Sequence, residues 1–284
     1  MDYSISKAFS DATRSVTERL GGQIAVWGVF FAIQIGAMIV LMMMMGGSIM
    51  ALAGAGGADP GAMAGLGGGM ILFLFLFYVV IIAIAMAANA AQVTIASHLR
   101  KPSVGDAVNN GFRSALPLLG AAVLLLIAYF VIALVLGLVV GGLAAVSGSG
   151  AVSIVLFAGL CVGLAYVGTK LSMLVPVVAL DGERNPINAI SRSWSMTNGK
   201  VLPVFLTYLA FIVVLVVVIG AFVAALVLPT MSGGAMPGVG MMVLLLVVYL
   251  VAIVAVTLFA ASLTAAVHLQ LSGRSVEDAS KTFS

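Results

Sequence analysis

Apolar and polar residues are sorted into long blocks along this chain. Apolar runs cover roughly 22–50, 69–97, 114–146, 151–180, 201–230 and 239–270. Each exceeds the roughly 20 residues that cross a bilayer as a helix. Each is also long enough that tilt, kinks or projection beyond the hydrocarbon are expected. Pro117, Pro176 and Pro203 lie near the ends of these runs, where proline breaks or starts helices. The pattern predicts an all-α integral membrane fold with six transmembrane helices spread over residues 22–270. A polar N-terminal segment, 1–21, and a polar C-terminal segment, 271–284, flank it.

Residues 1–21 read as an amphipathic helix. Ile5, Phe9, Ala12, Val16 and Leu20 share one face, and Lys7, Asp11, Arg14 and Glu18 share another. A helix lying on the membrane and a helix packed on the protein both fit that pattern. Related five-residue openings recur: Ser4-Ile-Ser-Lys-Ala8, Ser103-Val-Gly-Asp-Ala107, Asn185-Pro-Ile-Asn-Ala189 and Ser275-Val-Glu-Asp-Ala279. Each starts with a good helix cap and ends on alanine. Three precede spans 1, 3 and 5, and one follows span 6. The expectation is three pseudo-repeated hairpins, each led by a short cytoplasmic amphipathic helix, with a fourth such helix closing the chain.

Composition sharpens the class. Hydrophobic residues make up 63% of the 284 and charged residues only 7%, against roughly 25% charged in soluble domains. Such a chain cannot cover itself with polar surface in water. The charges alternate by connection. Residues 51–68, 147–150 and 231–238 carry no Lys or Arg, whereas the N-terminus, 98–113, 181–200 and 271–284 hold every basic residue except Lys170. The positive-inside rule then places both termini in the cytoplasm. The one cysteine, Cys161, excludes an intrachain disulfide.

Candidate chemistry is sparse. Lys170 interrupts an apolar run. If span 4 continues to Leu180, its ammonium is deep in the membrane and marks a functional site. If Pro176 marks a helix end, Lys170 snorkels to the interface. Gln34, Asn89, Gln92, Thr94, Thr169, Ser172, Thr207, Thr257, Ser262, Thr264 and His268 are among the other intramembrane polar side chains. They can line a polar cavity with Lys170 or hydrogen-bond between helices. Gly137, Gly141, Gly159 and Gly163 form small-xxx-small pairs on spans 3 and 4, read as close packing of those helices, with dimerisation as the competing reading. Methionines such as Met38, Met42 and Met45 crowd the outer side, and thioethers suit Cu(I), but no Cys or His completes a site there. No metal site, cofactor motif or catalytic constellation is found. Arg100, Lys101, Arg113, Arg184, Arg192 and Lys200 suit anionic headgroups, with Trp194 at headgroup depth.

One stretch is more specific. Lys170, Pro176 and Asp181 are followed by Ala189-Ile-Ser-Arg192-Ser193-Trp194-Ser-Met-Thr197-Asn-Gly199. This resembles the signature of the bacterial glycerophosphoryl diester phosphodiesterase membrane-domain family, which includes stand-alone six-span inner-membrane proteins of unknown function. The motif covers about 30 residues, and the six-span layout extends the likeness. The resemblance implies a multi-pass protein of the bacterial inner membrane. Enzymatic family members carry a separate soluble domain that this sequence lacks, so the resemblance does not transfer their activity. The expected function is non-enzymatic: binding anionic lipid at Lys170, Arg184, Arg192, Trp194 and Lys200 with Arg100, Lys101 and Arg113, or organising a membrane complex or homo-oligomer. A small-solute transporter or channel with a polar path near Lys170 is the alternative, and Cu(I) handling is a third. Nothing suggests nucleic acid as a partner.

Overall fold

A computed structural model describes residues 3–54, 60–98, 102–147, 150–231 and 238–273, with side chains described for 3–47, 68–98, 102–142, 154–225 and 238–273. The described residues form eight helices: α1 (Ile5–Gly54), α2 (Pro60–Ala96), α3 (Val104–Ser147), α4 (Gly150–Leu171), α5 (Leu174–Ala179), α6 (Pro186–Met196), α7 (Val201–Met231) and α8 (Val239–Leu271). Six stretches within them are long and apolar enough to cross a membrane. The architecture is that of an all-helical, multi-pass membrane protein. Arg100, Lys101, several outer methionines and the C-terminal segment from 274 onward lie outside the described residues or side chains.

Two span boundaries depart from the apolar pattern. The short helix expected ahead of span 3 is not separate. α3 runs unbroken from Val104 through Pro117, and its 44 residues extend roughly 66 Å at 1.5 Å per residue. Span 4 does break, after Leu171, with Ser172 and Met173 outside helix before α5 begins. The break sits four residues ahead of Pro176, which cannot donate to the Ser172 carbonyl and whose ring would crowd it. α1 also kinks, at Arg19, where φ is −125° and ψ is 18°.

Capping explains where three helices start. Ser4 Oγ accepts from the Lys7 amide at 3.4 Å, and Ser103 Oγ accepts from the Asp106 amide at 3.1 Å. Asp106 Oδ2 accepts in return from the Ser103 amide at 3.1 Å, a capping box. Asn185 Oδ1 accepts from the amides of Ile187 and Asn188 at 2.9 and 3.4 Å. The alanine closing the opening is fully buried in the three described copies, Ala8, Ala107 and Ala189; Ala279 lies outside the described residues. Four residues on, Ala12, Gly111 and Ser193 are buried too. The shared sequence pattern is therefore a small-residue face turned inward.

Burial is confined to the end of the bundle that carries the basic residues. Among the described side chains nothing is buried within 31–47, 68–86, 122–142, 154–168, 208–225 or 238–257. Alanine supplies about half of the buried apolar residues at the basic end. There the N-terminal part of α1 packs on the bundle: Ser15 Oγ donates to the Ala96 carbonyl at 2.6 Å, and the Tyr3 hydroxyl lies 2.7 Å from Thr207 Oγ1.

Among the described residues the small-xxx-small glycines of spans 3 and 4 do not touch: a methyl group placed on Gly137, Gly141, Gly159 or Gly163 would meet nothing within 4 Å.

Candidate functional site

The basic end is stitched by polar side chains that reach from one element to the exposed carbonyls of another. Lys170 occupies the last turn of α4 and is 2% exposed. Its Nζ donates to Asn198 Oδ1 and, at 3.4 Å, to the Trp194 carbonyl. Trp194 lies in the last turn of α6 and Asn198 in the turn that follows it, so the positive charge meets the negative end of the helix dipole. The rings of Trp194 and Tyr166 stand 5.4 and 5.7 Å from the same ammonium. Ser193 Oγ closes the junction by donating to the Lys170 carbonyl at 2.9 Å. Protein groups enclose the ammonium, and Lys170 clasps α4 to α6.

Asp181 is the second junction. Its side chain is 2% exposed and meets Arg192 Nη2 at 2.8 Å and the fully buried His268 Nε2 at 3.3 Å. The carboxylate joins the turn after α5 to α6 and to the last turn of α8. Gly182 makes that turn with φ of +74°, and Gly199 closes the turn after α6 with φ of +73°; both are left-handed values that favour glycine. Arg192 is thus ion-paired, though its side chain stays 48% exposed. Sequence reasoning named Asp181 in the motif and His268 among the polar side chains of the spans, but did not pair them. The available signal was an acidic residue at the end of one apolar run and a histidine at the end of another.

Asn110 makes a third junction. Its Nδ2 donates to Thr94 Oγ1 and to the Ala179 carbonyl, both at 2.8 Å, and its Oδ1 accepts from Arg184 Nη2 at 3.2 Å. Arg184 Nη1 also donates to Ser114 Oγ at 3.0 Å. Arg19, at the α1 kink, donates to the Ile95 carbonyl at 3.0 Å, capping α2 much as Lys170 caps α6. Burial and the nearby Arg19 guanidinium hold the His98 imidazole below its ordinary value. Burial outweighs the Thr207 hydrogen bond and raises the Tyr3 phenol.

The remaining basic candidates are placed by α3, α6 and α7. Arg113 and Arg184 are exposed and Lys200 is half-buried. Trp194 is 38% exposed and Ile187 65%. α6 buries Ala189 and Ser193 and turns Ile187, Ser191 and Trp194 outward along one flank, with Asn188, Arg192 and Ser195 along another.

A cavity of about 470 Å³ lies apart from these junctions, between α1, α2, α7 and α8. Gln34, Asn89, Gln92, Thr257 and Thr264 are its polar lining, and Trp27, Phe30, Phe31 and Phe211 its aromatic lining. Lys170 does not line it. Among the described residues no three His, Cys, Asp or Glu side chains gather as a metal site. Met38, Met42, Met43, Met44, Met241 and Met242 are exposed.

Comparison with known protein families, with curated proteins and with solved structures returns no match.

Proposed function

We propose that this chain is a non-enzymatic protein of the bacterial inner membrane, with both termini in the cytoplasm, that binds anionic lipid at its basic end. One observation carries the reading. α6 is a discrete helix that buries a small-residue face and exposes Ile187 and Trp194 beside Arg192. An apolar flank next to basic residues suits a helix lying at the headgroup level. Arg113, Arg184 and Lys200 stand at the same end, and each basic residue near an anionic surface contributes about 1 kcal/mol. Lys170 supports this site from inside, by holding α6, rather than by meeting phosphate. The motif likeness to the glycerophosphoryl diester phosphodiesterase membrane-domain family accords with a membrane module whose signature centres on α6.

The test is lipid mass spectrometry on protein purified in mild detergent. Phosphatidylglycerol is expected to be retained selectively by the wild type and lost from an Arg192→Gln, Lys200→Gln variant. Equal retention by both would remove the site assignment.

A further inference from the structure

We infer that the anionic lipid of the basic end carries two phosphates on one head, as diphosphatidylglycerol does, with the second phosphate seated between Arg184 and Arg113. The inference rests on the lipid-binding reading above and adds a second point of attachment to it. The chain builds that point from the interior outward. Asn110 donates both amide protons, to Thr94 Oγ1 and to the Ala179 carbonyl, so its Oδ1 is fixed as an acceptor. Ser114 is fully buried and donates its hydroxyl to the Asn110 carbonyl at 2.7 Å, so its Oγ accepts in turn. These two acceptors stand one turn apart on α3 and take Arg184 Nη2 and Nη1. Two of the five guanidinium N–H groups are thereby held against α3. The other three remain for a ligand, on a side chain that is exposed.

Arg113 stands on the same side of α3. It shares a helix face with Gly120, about 10 Å further along. Gly120 is where α3 meets the start of α6, since a methyl group there would sit 2.9 Å from Pro186 Cγ. Among the described residues neither Arg113 nor Arg184 forms a salt bridge. Glu183 turns its carboxylate to the Asn185 amide at 2.9 Å, and Asp106 turns its own to Ser103. Two positive charges are thus held by neutral groups alone. Their depth selects a lipid anion. The apolar run of α3 begins directly after Arg113, and Phe112 and Leu116 beside it are exposed. The pair therefore stands at the border of hydrocarbon and water, where basic residues meet anionic headgroups. The two points lie on one surface. Arg192 folds back to Asp181, three residues before Arg184 and at most about 11 Å from it along the backbone. Between them α6 exposes Ile187, Ser191 and Trp194. A head with two phosphates engages both points for a single loss of free motion, whereas two separate lipids lose it twice. Arg184 and Arg113 lack the interfacial tryptophan that stands at the other point, so they seat a phosphate that is already tethered there.

The test is lipid competition read by native mass spectrometry. Protein in mild detergent is offered diphosphatidylglycerol, phosphatidylglycerol and phosphatidylcholine together, at equal total phosphate. The wild type is expected to take up diphosphatidylglycerol about tenfold more than phosphatidylglycerol, the gain from the added basic contacts. Arg113→Gln should reduce that preference about fivefold. This variant leaves the fold alone, because Arg113 makes no hydrogen bond or ion pair among the described residues. Arg113→Gln with Arg184→Gln should abolish the preference while phosphatidylglycerol stays bound at Arg192 and Lys200. Equal uptake of the two anionic lipids by the wild type would overturn the inference. So would a preference untouched by Arg113→Gln, or two phosphatidylglycerols bound together as readily as one diphosphatidylglycerol. A preference erased by millimolar inorganic phosphate would assign the seat to the free ion and overturn it too. Uptake of phosphatidylcholine equal to that of both anionic lipids would remove the lipid-binding reading itself. Selective phosphatidylglycerol uptake with no further gain from the second phosphate removes this inference alone.

Discussion

On α3, Gly111 lies so close to α2 that a methyl group there would sit 2.5 Å from the Ala87 carbonyl oxygen and 2.8 Å from Ala91 Cβ. Farther along the same helix, a methyl group on Gly137 or Gly141 would meet nothing within 4 Å among the described residues. Both places carry small residues on apolar helices, yet only one is a helix contact. In hydrocarbon there is no hydrophobic drive to bring two helices together, because lipid tails are as apolar as leucine. Small residues permit close approach; they do not supply the attraction. At the basic end the attraction comes from polar side chains that reach neighbouring carbonyls and carboxylates: Ser15 to Ala96, Asn110 to Ala179, Lys170 to Trp194 and Arg192 to Asp181. The opposite parts of α3, α4, α7 and α8 bear few such groups, and lipid covers them as well as protein would.

That contrast is open to direct attack. Gly111→Leu should be the most damaging change, because the obstructing atom is backbone and cannot swing aside. A loss of about 3 kcal/mol or more is expected from forcing apart a packed pair, read as a collapse of thermal stability in detergent. The same substitution at Gly137 or Gly159 should be neutral within about 0.5 kcal/mol, or slightly stabilising, since leucine favours helix over glycine. Comparable losses at both places would mean that the outer parts are packed after all.

Asp181→Ala should cost about 2 kcal/mol, because it strands the buried His268 and one face of the half-exposed Arg192. An additional Arg192→Gln change should then add less than it does in the wild type, as a double-mutant cycle would reveal. Lys170→Met should cost about 1–2 kcal/mol, leaving the Asn198 amide oxygen without its donor and the Trp194 carbonyl with the Thr197 hydroxyl alone. Limited proteolysis in the α6–α7 turn would register the release of α6.

The smallest effect concerns pH. The folded state holds the His98 imidazole below its ordinary value of about 6.5. The unfolded chain therefore binds more protons in the window between the folded value and about 6.5, and stability falls as pH drops through that window. Above it the contribution is fully present. His98→Gln should flatten the acid side of the stability profile slightly, and an unchanged slope would show that other groups dominate there.

The arrangement of apolar blocks and the alternation of basic connections were enough to establish six long helices and to gather the polar chemistry between Lys170 and Lys200. Those are properties of composition and local periodicity. A run of 20 or more apolar residues has to satisfy its backbone internally wherever it lies in a bilayer. The starts of α1, α3 and α6 were legible for the same reason, since a cap bonds within its own turn. What the polar groups do was not legible. Lys170 meets α6, Asp181 meets His268, and Asn110 ties α2, α3 and α5, and each of these depends on which helix ends come together in space. The glycine pairs show the same limit from the other side, because spacing along a helix reveals a small face without revealing what stands opposite. The cavity belongs wholly to tertiary structure. It exists because four helices line one space, and no single helix carries that information.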